Sequence, residues 1–234
     1  NDAAGYGWTV GERKVDWSKL IANKNREISR LNDIYRKILG DAGVEIIESH
    51  AEILDPHTIT IDGKKVTARY ILVATGSWPM VPNIPGAELA ISSNEAFYLP
   101  TLPESVIIVG GGYIGVEFAG IFQGLGVHTT QLYRGDLFLR GFDGDIRKTL
   151  AEEMRKRGVD LRFNTDVAKI EKHNGKLRAT LLDGATIEAE QILYATGRAP
   201  NTQELGLEGA GVQVTDVGAV VVDEYLKSNV DNIY

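Results

Sequence analysis

The chain has 234 residues, enough for one or two domains with a proper core. Its 43% hydrophobic and 24% charged residues are the balance of an ordinary globular protein, which argues against disorder, collagen and coiled coil. A net charge of −7 argues against nucleic acid as a partner, and the absence of any cysteine excludes disulfides, thiolate metal ligands and cysteine nucleophiles within this stretch.

Asp16 precedes apolar positions at helical spacing, Leu20, Ile21, Ile28, Leu31, Ile34, Tyr35, Ile38 and Leu39, with Gly40 and Gly43 as stop signals, so a helix is expected near 16–39. Short β-like runs follow at Val44–Ile47, Thr58–Ile61 and Val66–Ala68, the last two joined by an Asp62-Gly63 hairpin turn. Tyr70–Ala74 reads as an apolar strand ending at Thr75-Gly76, after which Pro79, Pro82 and Pro85-Gly86 impose an extended connection. Ser92 and Glu95 have the spacing of a capping box. A strand at Val106–Val109, a helix at Gly112–Gln123, a strand at Thr129–Tyr133 and a helix at Asp145–Arg157 give βαβα order and predict an α/β fold with a parallel sheet. From Val159 to Glu190, short runs broken at Asn174-Gly175 and Asp183-Gly184 predict an antiparallel meander, and Ile192–Ala195 is one more apolar strand. The strings Ile71–Gly76 and Ile192–Gly197 both end in Ala-Thr-Gly, which suggests two crossings between domains; apolar strands ending in Thr-Gly are also common in their own right.

No apolar run reaches the roughly 18–20 residues that span a bilayer, and the first residues lack the basic and apolar regions of a signal peptide, so a cytoplasmic protein with no membrane partner is expected. His50, His57, His128 and His173 lack zinc-site spacing, and no metal is expected.

The chemistry concentrates in Gly110-Gly111-Gly112-Tyr113-Ile114-Gly115, a G-x-G-x-x-G run directly after a buried strand and at the mouth of a helix. The first glycine permits a tight turn, Gly112 lets backbone approach a pyrophosphate, and Gly115 lets helix and strand pack closely. At the end of the next strand, where an acidic residue would hold the 2′-hydroxyl of NAD, the chain has Tyr133, then Arg134 and, after a short loop, Arg140. Two guanidiniums suit a 2′-phosphate dianion, so NADPH is expected rather than NADH. Glu117 lies in the first turns of the helix, where a carboxylate either has a role at the nucleotide or merely complements the helix dipole.

Taken together, Ile71–Pro79, Pro82–Gly86, Ser92–Phe97, Gly110–Ala119, Arg134 with Leu139–Asp143, and Ala195-Thr-Gly-Arg-x-Pro-Asn201 resemble the glutathione reductases, FAD-dependent members of the pyridine nucleotide–disulfide oxidoreductases. The resemblance implies a Rossmann-like NADPH domain at 77–197 inserted into an FAD-binding domain, of which 1–76 is the C-terminal part and 198–234 the return. It implies that Tyr113 gates the flavin, that Glu117 lies near the nicotinamide, and that Gly197 and Arg198 follow the nicotinamide–flavin junction. It further implies that Ala51, Thr75 and Gly76 line FAD and that Tyr35 contacts glutathione. The implied activity is NADPH-dependent reduction of glutathione disulfide by a homodimer. A trypanothione-type reductase is the near alternative, favoured by Ser77-Trp78-Pro79 and Tyr133-Arg134-Gly135 and opposed by short loops at 54–58 and 124–127.

Several of the family's parts are missing: the N-terminal glycine-rich FAD motif, the C-x4-C redox pair, the Gly-Asp motif and the His-Glu pair of the interface. The chain is therefore expected to be an internal segment that is inactive alone. Were it complete, it would read as a non-catalytic NADPH-binding module.

Overall fold

In chain order, the computed structural model contains α1 (Trp17–Asp41), β1 (Ala51–Asp55), β2 (Thr58–Ile61), β3 (Lys64–Thr67), β4 (Ser77–Pro79), α2 (Ser93–Ala96), β5 (Ser105–Val109), α3 (Tyr113–Gly124) and β6 (His128–Tyr133). It continues with α4 (Gly144–Lys156), β7 (Asp160–Phe163), β8 (Val167–His173), β9 (Lys176–Leu181), β10 (Thr186–Ala189), β11 (Gln191–Tyr194) and β12 (Arg198–Pro200). The structure describes residues 2–9, 11–12 and 14–234. Contacts divide the chain into one unit made of the segment ending at Lys37 with Asn83–Tyr194, and a second made of Ile38–Pro82 with Ala195–Tyr234.

The first unit is built on a parallel sheet in the order β11-β5-β6-β7. Val106, Ile107, Ile108 and Val109 of β5 are all buried, as a central strand covered on both faces requires. One cover is α3, whose Phe118, Ala119 and Phe122 are buried and which packs on β5 and β6. The other is the antiparallel sheet β10-β9-β8, whose Val167, Ile170, Ala179 and Leu181 join Ile107, Val109, Leu132, Ile192 and Tyr194 in one core cluster. The meander thus begins at Val167 rather than at Val159: Asp160–Phe163 pairs in parallel with β6 and extends the main sheet. Alternation over four residues does not distinguish an edge strand of one sheet from the first strand of another. The Ser92 and Glu95 capping box forms as expected, and the Ser92 hydroxyl and N–H together hold the Glu95 carboxyl below its ordinary range.

Helix α1 starts at an Asp16 cap, which accepts from the Lys19 N–H at 2.9 Å. It runs through Gly40 and stops at Gly43, in the left-handed region, where Val44 N–H donates to Leu39 and Gly43 N–H to Gly40. Its first turns are pinned within this unit by Trp17 Nε1, which donates to the Leu99 carbonyl at 2.7 Å, and by the Lys24 ammonium 3.8 Å from the Tyr98 ring centroid.

The second unit holds the sheet β1-β2-β3 with the expected hairpin, Asp62 and Gly63 both at positive φ. Its core joins Ile53, Leu207, Ala210, Val212 and Ile233. Two expected strands are absent from it. Val44–Ile47 has no regular structure, and Tyr70–Ala74 makes only a single parallel bridge, Ile71 with Ile233, backed by Val73 N–H donating to Tyr234 at 2.7 Å. Apolar runs become strands only where a partner strand presents matching N–H and C=O groups.

The Tyr194 hydroxyl is buried with no hydrogen-bond partner among the described residues, and burial together with the nearby Asp166 charge pushes its ionisation far up. Because an unmatched buried hydroxyl costs about 1–3 kcal/mol, Tyr194→Phe is expected to leave chemical-denaturation stability unchanged or raise it by about 1 kcal/mol. A loss larger than that would mean that the hydroxyl has a partner.

Candidate functional site

Strand β5 hands over to α3 through Gly110-Gly111-Gly112. Gly110 has φ +138, a backbone that side-chain-bearing residues avoid. Gly112 is the N-cap and makes no side-chain capping bond, so the N–H groups of Tyr113, Ile114 and Gly115 begin the helix without intrahelical acceptors. A side chain on Gly112 would meet nothing within 4 Å, so the space before the helix is open. A Cβ on Gly115 would lie 2.9 Å from the Gly110 carbonyl oxygen, which is how closely strand and helix approach. Open N–H groups at the positive end of a twelve-residue helix form a site for an anion.

The second strand ends against this turn. The Tyr133 ring fills the space that a Cβ on Gly111 would need, and a Cβ on Gly135 would come within 2.9 Å of Tyr133 Cε1, so the ring is held between two glycines. Arg134 follows it and is exposed. The loop bearing Arg140 is tied to the same turn: Leu139 N–H donates to the Gly111 carbonyl at 2.7 Å, while Phe138 and Leu139 are buried. Arg147 of α4 holds that loop from behind, donating from Nε to the Phe138 carbonyl at 2.7 Å and from its terminal nitrogen to the Leu137 carbonyl at 2.6 Å. Asp143 caps α4 by accepting from the Asp145 and Ile146 N–H groups. Arg140 itself is exposed. Beside Arg134 lies a cleft of about 260 Å³ lined also by Asn164, Thr165, Asp166, Leu181, Leu182 and Asp183.

The structure therefore gathers Gly110, Gly111, Gly112, Tyr113, Ile114, Gly115, Arg134 and Arg140 around one strand-to-helix turn. Tyr113 and Glu117 are exposed on the first turns of α3, and Tyr35 is exposed on α1. Two supports carried no signal as site residues in the sequence. Arg147 reads there as an ordinary helix charge. Gln131 reads as a polar residue in a strand, yet it is 2% exposed and its Nε2 donates to the Gly110 carbonyl at 2.9 Å.

The remaining candidates lie in the second unit. Thr75 Oγ1 donates to the Asn201 carbonyl at 2.6 Å, and Asn201 N–H donates to Gly76 at 2.9 Å. In mirror fashion Thr196 Oγ1 donates to the Met80 carbonyl at 3.0 Å, and Met80 N–H donates to Gly197 at 2.9 Å. Between these knots β4 and β12 pair antiparallel, and the Arg198 guanidinium bonds the Ser77 hydroxyl and carbonyl. Ala51 opens β1, paired with Ile61. Among the described residues no cluster of three or more metal-ligating side chains occurs, and no helix is long and apolar enough to cross a membrane.

A family model described as pyridine nucleotide-disulphide oxidoreductase matches residues 6–234. Over 233 residues the chain is 45% identical to a glutathione reductase of Burkholderia cepacia, covering 100% of this chain and 52% of that protein. Over 249 residues it is 39% identical to a trypanothione reductase of Leishmania donovani, covering 100% of this chain and 50% of that one. Among solved structures, the HOCl-induced flavoprotein disulfide reductase RclA from Escherichia coli aligns with a TM-score of 0.88 and 33% identity, over 94% of this chain and 52% of that one. The chain spans about half the length of the curated relatives it matches.

Removing the Arg147 guanidinium leaves two loop carbonyls without their charged donor, a loss of about 1.5–3 kcal/mol for a hydrogen bond of this kind. Arg147→Met is expected to speed amide hydrogen exchange at Leu139 while leaving β5 amides protected. Unchanged exchange at Leu139 would show that Arg147 does not hold the loop.

Proposed function

Since the chain belongs to the pyridine nucleotide–disulphide oxidoreductase family, we propose that it is the nucleotide-binding part of an NADPH-dependent, FAD-containing reductase of glutathione disulfide. In this reading 77–197 is the NADPH domain, and 1–76 with 198–234 belong to the FAD-binding domain. The whole enzyme is a cytoplasmic homodimer.

The residues present fit the nucleotide. A pyrophosphate needs backbone that can be approached closely, and Gly112 has open space where a side chain would stand. The open N–H groups of Tyr113, Ile114 and Gly115 would hold its oxygens without a cation. The strand end that would carry a carboxylate for a 2′-hydroxyl carries Tyr133 instead. The observation that carries the reading is that both exposed guanidiniums leave loops bordering the glycine turn: Arg134 directly after the ring packed on Gly111, and Arg140 directly after the residue hydrogen-bonded to Gly111.

When bound, NADPH supplies a hydride to FAD, and the electron pair passes on to a disulfide. The chain's own residues orient and shield. Tyr113, exposed at the head of α3, would serve as the gate over the flavin, and Glu117, exposed one turn further, would lie near the nicotinamide. Gly197 and Arg198 would border the junction of the two cofactors, Ala51, Thr75 and Gly76 would line the FAD, and Tyr35 would meet glutathione. Gly76 and Gly197 support this by their backbone: both lie at positive φ, where a side chain would be strained. The glutathione assignment rests on the 45% identity to a glutathione reductase against 39% to a trypanothione reductase.

In the intact flavoprotein, replacing Arg134 and Arg140 together by Ala is expected to raise the KM for NADPH by about 10²-fold, given two charge-assisted contacts partly screened by solvent, and that for NADH by less than about three-fold. Equal losses for the two nucleotides in steady-state kinetics would refute the 2′-phosphate assignment.

A further inference from the structure

Beneath the glycine turn, the fully buried Gln131 of β6 is a polar side chain beside Leu132, which belongs to the apolar core. A glutamine amide in such a place is costly unless its groups are matched. Only half of it is: Nε2 donates to the Gly110 carbonyl at 2.9 Å, while Oε1 has no partner among the described residues. The orientation of the amide is set by that carbonyl, since turning it over would bring two oxygens together. An apolar side chain of the same length would remove the unmatched Oε1 but leave the Gly110 carbonyl without its donor, so for stability the two effects oppose each other.

We propose that Gln131 is a positioning residue for the dinucleotide: its Nε2–H anchors the Gly110 carbonyl and thereby sets the peptide plane from which the phosphate-binding turn departs. This rests on the NADPH reading above.

The geometry makes that anchor consequential. The Gly110 carbonyl oxygen lies where it would be only 2.9 Å from a Cβ on Gly115, and that same Cβ would lie 3.3 Å from Gln131 Nε2. Carbonyl, amide and helix backbone therefore meet in one tight contact. In a trans peptide the C=O and the following N–H point in opposite directions, so a carbonyl held toward Gln131 turns the Gly111 N–H away from it. Gly110, at φ +138, offers little intrinsic resistance to rotation, because a glycine there has no side chain to restrict it. The restraint has to come from outside the turn, and Gln131 supplies it. The Gly111 carbonyl is already fixed by Leu139 N–H, so the two anchors hold successive peptides of the same turn.

The test uses the intact flavoprotein with Gln131→Met, which keeps the length and removes the donor, and Gln131→Leu as a second apolar replacement. Binding is measured with two probes. NADP+ carries the pyrophosphate; adenosine 2′-monophosphate carries the 2′-phosphate and lacks it. The expected result is NADP+ binding about 3–10-fold weaker, because the free turn is no longer held in its binding geometry, with adenosine 2′-monophosphate binding unchanged. The KM for NADPH should rise with kcat nearly constant, the melting temperature should fall by a few degrees at most, and the Gly111 amide resonance should shift. Unaltered NADP+ binding in a folded variant overturns the inference, and so does equal weakening of both probes, which would mean a general disturbance of the domain. If the unsubstituted protein binds neither probe, it is the NADPH reading itself that fails.

Discussion

The close approach of backbone to backbone at the glycine turn, the Gly110 carbonyl against Gly115, is the constraint on which the candidate site depends. It brings the end of a buried strand against the first turn of a helix, so that apolar packing beneath and unsatisfied N–H groups above are produced by the same turn. The parallel pairing of β5 with β6 goes with it. With β5 central and α3 packed against β5 and β6, the next strand must return in parallel, and its end must arrive beside the glycines. Tyr133 and Arg134 owe their positions to that return rather than to any local preference.

This explains which parts of the molecule could be read from the chain. The nucleotide turn was legible because each glycine answers a steric demand that no other residue meets, and the demands come at fixed spacing between a strand and a helix. The capping box, the Asp62-Gly63 hairpin and the helix stop at Gly43 were legible for the same local reason. Val44–Ile47 and Tyr70–Ala74 were misread because their apolar composition states only that they favour an extended, packed setting; regular pairing depends on chain brought from elsewhere. Ile71 finds its neighbour at Ile233, more than 160 residues away, and no window along the sequence contains both. Gln131 and Arg147 escaped for a related reason. Their meaning lies in one carbonyl each across the fold, and a glutamine in a strand or an arginine in a helix has no spacing that announces it.

The repeated Ala-Thr-Gly string occupies an intermediate position. Its recurrence is visible, but its consequence is tertiary: each threonine hydroxyl caps the chain that belongs to the other copy, Thr75 reaching Asn201 and Thr196 reaching Met80. The two passages are thereby zipped into the ribbon of β4 and β12, with Gly76 and Gly197 providing the bends. A hydroxyl that satisfies a carbonyl at the end of a strand needs no further strand beside it, which is why both strands can stop there. The pair acts as a clasp, holding outgoing and returning chain side by side within the second unit.

If the site binds the nucleotide as proposed, its two ends rely on different physics. At the glycine turn, affinity comes from backbone dipoles whose directions are set by buried contacts, with the Gly110 and Gly111 carbonyls each held by a donor across the fold. Such groups need no reorganisation when an anion arrives and are little affected by salt. At the other end, Arg134 and Arg140 are exposed side chains on loops, carrying full charge but also rotamer freedom and solvent screening. Their contribution depends on how far the loops restrict them, and here Arg147, which holds the Phe138 and Leu137 carbonyls, and the Tyr133 ring, packed between Gly111 and Gly135, fix the backbone on which they stand. On the proposed reading, pyrophosphate recognition would rest on the core of the unit, whereas discrimination at the 2′-position would rest on its surface.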